Sequence, residues 1–313
     1  MELYKSRSFN DFFQDTFTFL KENGKHFFKE YFIINGIFLL ILAVIGYFFT
    51  KFYTDFIFSG VLKGDGSTVI DSYLNENLGV FLGMLFVFIV VGMVAGIVSY
   101  AFPAIYFNLY SKNGGANFET RDILDTYKRH IGKLTVYVLC SILISIPAML
   151  VLVICTVILT VTIVGIFALP LLIGAFTLFY GMTLMEYLEG KKGIWESFSY
   201  AWTLLKSKFW PAVGSIGLFF LIIYIIQNII SIIPYFFGMA SLFTSFGEGS
   251  PSDEDISSAM TMVMLVVFFL TFLVSSVLGT VVRVNEGLIF YTLKEENEHV
   301  NTKSVIDQIG SGE

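Results

Sequence analysis

The chain has 313 residues, 56% of them hydrophobic and 14% charged, with a formal net charge of −6. A soluble globular domain carries about 25% charged residues. This composition therefore excludes a domain that covers its surface with water-facing side chains, and it points to a surface turned largely to lipid. The 35 Phe and 16 Tyr agree, because aromatic rings populate lipid-facing and interfacial positions.

About 20 consecutive apolar residues carry a helix across the hydrocarbon core, and the sequence supplies six such stretches. Residues 1–30 are charged throughout and lack the apolar stretch ending in small residues that marks a cleaved signal. They predict a cytoplasmic amphipathic helix, and the first span, 31–50, then serves as the insertion signal. The second span is 78–110. The apolar block 134–188 holds a single charge, Glu186. It is too long for one crossing and divides into spans 134–160 and 165–188, with a turn near 160–165 and Pro170 just inside the next helix. The fifth span, 212–246, is interrupted at Pro234, the sixth is 259–293, and residues 294–313 form a tail. Cys140 and Cys155 fall in the third span, about 22 Å apart along a helix. That is beyond disulfide reach, so they read as small apolar residues.

Lys and Arg set the orientation. Lys5, Arg7, Lys21, Lys25 and Lys29 precede the first span. Lys112, Arg121, Lys128, Arg129 and Lys133 lie between the second and third, Lys191, Lys192, Lys206 and Lys208 between the fourth and fifth, and Lys294 and Lys303 in the tail. The opposite side has Lys51 and Lys63. Both termini are expected in the cytoplasm. The outer loops are acidic, through Asp55, Asp65, Asp71 and Glu76 in one and Glu248, Asp253, Glu254 and Asp255 in the other. They lack the carboxylate order of a calcium loop and read as solvated.

The three cytoplasmic segments before spans one, three and five share a pattern. In the third, Trp195, Phe198, Trp202, Leu205 and Phe209 recur at steps of three and four, which is one helical face, and Trp210 follows. In the first, Phe9, Phe13, Phe17 and Leu20 form the stripe, widened by Phe12 and Phe19. In the second, Ile123, Tyr127 and Ile131 form it more weakly. Short helices with an aromatic face and Lys opposite lie in the membrane interface. The chain thus reads as three units starting near residues 8, 119 and 193, each an interfacial helix followed by a transmembrane hairpin. The alternative is the amphipathic character common to loop ends. The expected fold is all-α, with six transmembrane helices and three interfacial helices.

Ionisable groups within spans are functional candidates. Arg283 and Glu286, three residues apart in the sixth span, share a helix face and are expected to pair, with Asn285 beside them and Glu186 as a second partner for Arg283. Gln227 and Asn228 lie near the middle of the fifth span, and Asn35 and Asn108 near the inner ends of the first and second. These groups either line a cavity or headgroup site on the cytoplasmic half or fix helix packing through satisfied pairs, and packing is the favoured reading. The pairs Gly79/Gly83, Gly92/Gly96 and Ser275/Gly279 at four-residue spacing predict close helix packing. His26, His130 and His299 lie far apart in sequence, and no metal, nucleotide or nucleophile motif is present. No catalytic residue, metal or cofactor is therefore expected, nor a nucleic-acid partner. The expected partners are membrane lipids and other membrane subunits.

The segment 186–210, EYLEGKKGIWESFSYAWTLLKSKFW, resembles a recurring segment of a broad group of six-span bacterial membrane proteins. That group includes the membrane domain of some glycerophosphodiester phosphodiesterases. The matching positions are Glu189, Gly190, Gly193, Ser199, Trp202, Leu205, Lys206, Phe209 and Trp210. The closing GLIFYTLKEENEHV and the aromatic stretch 12–28 are similar to the same group. The resemblance implies a six-helix membrane fold and a role in envelope or membrane homeostasis. In the phosphodiesterases the chemistry resides in a soluble barrel, for which this chain has no segment, so no catalytic residue carries over. The resulting expectation is a non-enzymatic accessory or scaffold subunit of an envelope assembly. The alternatives are a transporter or channel for a small molecule or lipid, and an intramembrane lipid-modifying enzyme using Glu186, Arg283 and Glu286.

Overall fold

A computed structural model describes residues 1–55, 66–248 and 253–301, and every element among them is an α-helix. The helices are α1 (Phe9–Asp55), α2 (Gly66–Asn113), α3 (Thr120–Thr160), α4 (Ile163–Glu189), α5 (Ile194–Ser207), α6 (Phe209–Glu248) and α7 (Asp253–Glu298). Six stretches are long and apolar enough to cross a membrane: Phe9–Phe52, Leu82–Asn113, Thr120–Thr160, Ala168–Glu189, Phe209–Ile232 and Thr261–Glu298. The chain is a multi-pass membrane protein by these criteria.

Several boundaries differ from the expected ones, for local reasons. The first two amphipathic segments are not separate helices: each is the start of a long helix that continues into its span. Nothing between residues 24 and 55 ends α1, which at 47 residues is about 70 Å long. The third segment does stand apart as α5. Pro211 has no N–H to donate to Ser207 and is accommodated without loss in the first turn of a new helix. Lys208 accordingly leaves helical geometry (φ −144°, ψ 50°), and α6 starts at Phe209. The predicted turn at 160–165 is present: Thr162 caps α4, its hydroxyl accepting from the Gly165 N–H at 2.9 Å, and Pro170 lies inside that helix. Helix α6 runs through the expected break at Pro234. Helix α2 begins at Gly66, inside the expected outer loop. Lys63, Asp65 and Lys303 lie outside the described residues. So do the side chains of Asp55, Asp71, Glu76, Glu248, Asp253, Glu254 and Asp255 and the predicted loop chemistry they carry.

The chain divides into two compact units, with α1, α2, α6 and α7 each passing through both. The first comprises Met1–Ile34, Ile97–Ile222 and Gly279–Glu313. Here α3, α4 and α5 pack on one another, and α4 ends at Gly190. The left-handed φ of +82° at that residue is one that glycine adopts without strain. An aromatic cluster fills this unit: Phe19, Phe27, Phe102, Tyr106, Phe107 and Phe118 are all buried. Phe27 meets Tyr106 edge-on at 4.8 Å, and Tyr106 meets Phe118 edge-on at 4.9 Å, the geometry the ring quadrupoles favour. The His26 ring bridges into it. Its Nε2 faces the Phe118 carbonyl at 2.9 Å and must donate, so Nδ1 accepts from the Tyr106 hydroxyl at 2.8 Å.

The second unit comprises Asn35–Gly96 and Ile223–Leu278. The Phe268 ring lies against Gly46, where an added Cβ would fall 2.0 Å from it, and Phe49 meets Phe88 edge-on at 5.4 Å. Gln227 donates to the Ser275 hydroxyl at 2.8 Å.

Among the described residues, no close approach is made to the paired glycines for which close helix packing is predicted. Among the described residues, a Cβ added at Gly79, Gly83, Gly96 or Gly279 meets nothing within 4 Å, and one at Gly92 meets Leu42 at 4.0 Å. The tight glycines are others: Gly174 against Ile216, Gly217 against Leu171, Gly181 against Glu286 and Gly287 against Phe107. Spacing in sequence marks a helix face able to approach closely, but not which face the tertiary arrangement uses.

Candidate functional site

The predicted polar cluster resolves into separate groups. The first lies where α4 ends. Glu186 and Glu189, one turn apart, project from α4 to the Lys294 ammonium of α7, which donates to each at 2.6 Å. Glu186 and Lys294 have no exposed surface, and Glu189 has little. The other Glu186 oxygen accepts from Lys192 at 2.6 Å, and Lys192 stands 3.6 Å from Glu298. The Tyr200 ring lies beneath Lys192 at 3.8 Å, and its hydroxyl donates to Glu298 at 2.7 Å. Burial pushes the Tyr200 phenol well above the usual range, and its bond to the Glu298 carboxylate adds to the shift. Tyr4, edge-on to Tyr291 at 5.1 Å, is pushed up to about 12, chiefly by burial.

The second group is the predicted pair. Arg283 donates to Glu286 Oε2 at 2.8 Å, and its guanidinium stacks 4.3 Å over the Tyr100 ring. The Tyr137 hydroxyl donates to the Tyr180 carbonyl at 2.9 Å and stands 3.2 Å from the Tyr100 hydroxyl. Glu286 presses on the backbone of α4: an added Cβ at Gly181 would fall 1.4 Å from Oε1. That oxygen is buried and has no hydrogen-bond partner among the described residues. The Arg283 side chain keeps 26% of its surface exposed.

Glu186 is therefore not the partner of Arg283 that the sequence predicts. It meets Lys294, and 11 residues along α7 separate that lysine from Arg283, about 16 Å. Asn285 belongs to neither ionic group. Its amide donates to the Phe12 carbonyl at 3.1 Å, to Thr16 at 3.0 Å and to Ser215 at 3.2 Å, joining α7 to α1 and α6. Gln227 and Asn228 lie in the second unit, where Asn228 donates to the Tyr224 carbonyl one turn back, at 2.7 Å. Asn35 and Asn108 are buried, the Asn108 side-chain oxygen without a partner among the described residues.

The aromatic stripe of α5 also divides. Phe198 and Leu205 are buried together with Ala201 and Leu204, whereas Trp195 and Trp202 face outward; past the helix end, Phe209 is half-buried and Trp210 is exposed. The buried face centres on Ala201, about a quarter turn or more from the line of the tryptophans. On α1 the buried stripe is Phe12, Thr16, Phe19 and Phe27, while Phe9 and Phe17 are exposed. On α3, Ile123 is buried and Ile131 exposed.

Three participants were not legible as such. Lys294 reads in sequence as a tail cation, although two carboxylates one turn apart at the end of an apolar span call for one. Arg7 reads as a topology charge but is buried. Its guanidinium donates to the carbonyls of Glu2, Leu3 and Lys5, to Thr292 at 2.9 Å and to Asp15 at 2.8 Å. Gly181 carries no signal at all. No group of His, Cys, Asp and Glu suited to a metal occurs among the described residues. Comparison of the chain with family models, with curated proteins and with solved structures gave no match.

Proposed function

We propose that the chain is a non-enzymatic accessory or scaffold subunit of an assembly in a bacterial inner membrane, with both termini and the three amphipathic segments on the cytoplasmic side. The observation that carries this reading is the open face of α2. Gly79 and Gly83, one turn apart, are spaced as for a closely packed neighbouring helix, yet nothing among the described residues approaches them. A partner helix, aided by lipid, occupies that face. The ionic groups support the same reading, since Lys294 and Lys192 together meet Glu186 and Glu189.

The test is copurification from membranes in mild detergent, comparing the natural chain with Gly79→Ile and Gly83→Ile. Loss of a stoichiometric membrane partner at unchanged melting temperature is the expected result; a clean monomer from native membranes would end the proposal. For orientation, cysteines at Lys21 and Lys191, with Cys140 and Cys155 replaced, should react with an impermeant maleimide only after the cells are opened.

One observation favours a second reading, a transporter or lipid-handling site. Glu286 Oε1 is a buried acceptor without a donor among the described residues, beside an arginine that is a quarter exposed. Under that reading a cysteine at position 283 is labelled from the water or lipid phase, and protection from both sides rules it out.

A further inference from the structure

The three tryptophans of the chain are Trp195, Trp202 and Trp210, all within one short segment. They are 56%, 50% and 73% exposed. Trp195 and Trp202 lie seven residues apart, two turns along one face of α5. The opposite side of that helix is already committed, burying Ser197, Phe198, Ala201, Leu204 and Leu205. Lys206 is one turn beyond Trp202, with its ammonium 4.8 Å from the ring. No indole N–H of the three donates to a protein group among the described residues. Trp210 opens a stretch, Phe209–Ile232, that is long and apolar enough to cross a membrane.

An aqueous surface gives no reason to turn every indole of a chain outward. A bilayer interface does, because the ring is taken up by the acyl boundary while the N–H finds ester and phosphate oxygens. The ammonium of Lys206, held over Trp202, has the charge and reach to meet a phosphate. We propose that the outer face of α5, with Trp195, Trp202 and Lys206, docks into the headgroup–acyl boundary of phospholipids together with Trp210 in the first turn of α6. The helix is thus wedged between its own bundle and the lipid. Which leaflet it touches rests on the orientation proposed above; that it touches lipid does not.

Because no other tryptophan exists, the tryptophan emission of the full chain, excited beyond the absorption of its tyrosines, reports these three indoles alone. The experiment uses vesicles of phosphatidylcholine and phosphatidylglycerol, with a nitroxide on the headgroup, with bromines deep in the acyl chain, or with acrylamide in the water. The headgroup quencher should reduce emission about twofold or more, and well beyond either of the others, as expected for indoles at the interface. Variants keeping one tryptophan, the other two changed to Phe, should each show the same order. Emission indifferent to both lipid quenchers overturns the proposal: strong acrylamide quenching would then mean a solvated face, and protection from all three a face covered by protein. Lys206→Gln should lower the headgroup quenching of Trp202 while leaving that of Trp195 unchanged, and an equal loss at both would remove the lysine from the contact. Maleimide labelling and copurification fail or succeed independently of these depths.

Discussion

The two ionic groups of the first unit are built from the same chemistry and are not equally complete. Around Lys294 the cation meets two carboxylates, the second oxygen of Glu186 takes Lys192, and Tyr200 closes the edge through Glu298. Around Arg283 one carboxylate oxygen is bonded and the other is pressed against glycine backbone without a donor. Removing one partner of a buried pair strands a charge, while an oxygen already without a donor has less to lose. The first group therefore acts as a lock on the ends of α4 and α7, and the second as a tight but incomplete contact between the same two helices.

Lys294→Met should break the comparison most visibly. It strands Glu189 and leaves Glu186 to Lys192 alone, at a cost of about 3–5 kcal/mol, read as a large fall in the midpoint of detergent-induced unfolding. Adding Glu186→Gln and Glu189→Gln should restore much of it. If the single change is silent, the group is not a lock. Gly181→Ala comes next. Its methyl would occupy the place of Glu286 Oε1, and overpacking of this kind costs about 1–3 kcal/mol. In combination with Glu286→Ala the penalty should shrink, and strict additivity of the two would deny the contact.

Tyr200→Phe tests the rim of the first group by deleting the hydrogen bond to Glu298, a loss of about 1 kcal/mol. The tyrosines also set a pH dependence. Burial raises the phenols of Tyr200 and Tyr4, the latter to about 12, above an unfolded value of about 10. Their contribution is present in full below about pH 10 and is lost as the pH climbs toward 12. Denaturation midpoints measured across that interval should fall, and less steeply in Tyr200→Phe. The smallest effect is expected in the second unit. Gln227→Leu gives up one hydrogen bond to Ser275, a loss of about 0.6 kcal/mol for an interhelical bond at membrane depth. A loss comparable with that of Lys294→Met would show that polar groups hold the second unit as they hold the first.

Much of this architecture is legible in the amino-acid order. Apolar runs of membrane length, the turn near Thr162, and the Arg283–Glu286 pair one turn apart are local facts, fixed by helix rise and by the cost of charge in lipid. The break before Phe209 follows from Pro211 in the same way. What sequence cannot supply is the azimuth and register of one helix against another. A stripe that includes Trp195, Phe198, Trp202 and Leu205 has one spacing, yet two of its members are buried and two are exposed, because a rotation of about a quarter turn is invisible to periodicity. The partner of Glu186 is Lys294 and not Arg283, since a shift of three turns along α7 changes no local preference. Glycine spacing marked Gly79 and Gly83, while packing used Gly181 and Gly287. The six apolar helices were determined by composition and length alone. The cation each carboxylate meets, and the face each tryptophan presents, were decided only when the helices took their rotation and register in the tertiary structure.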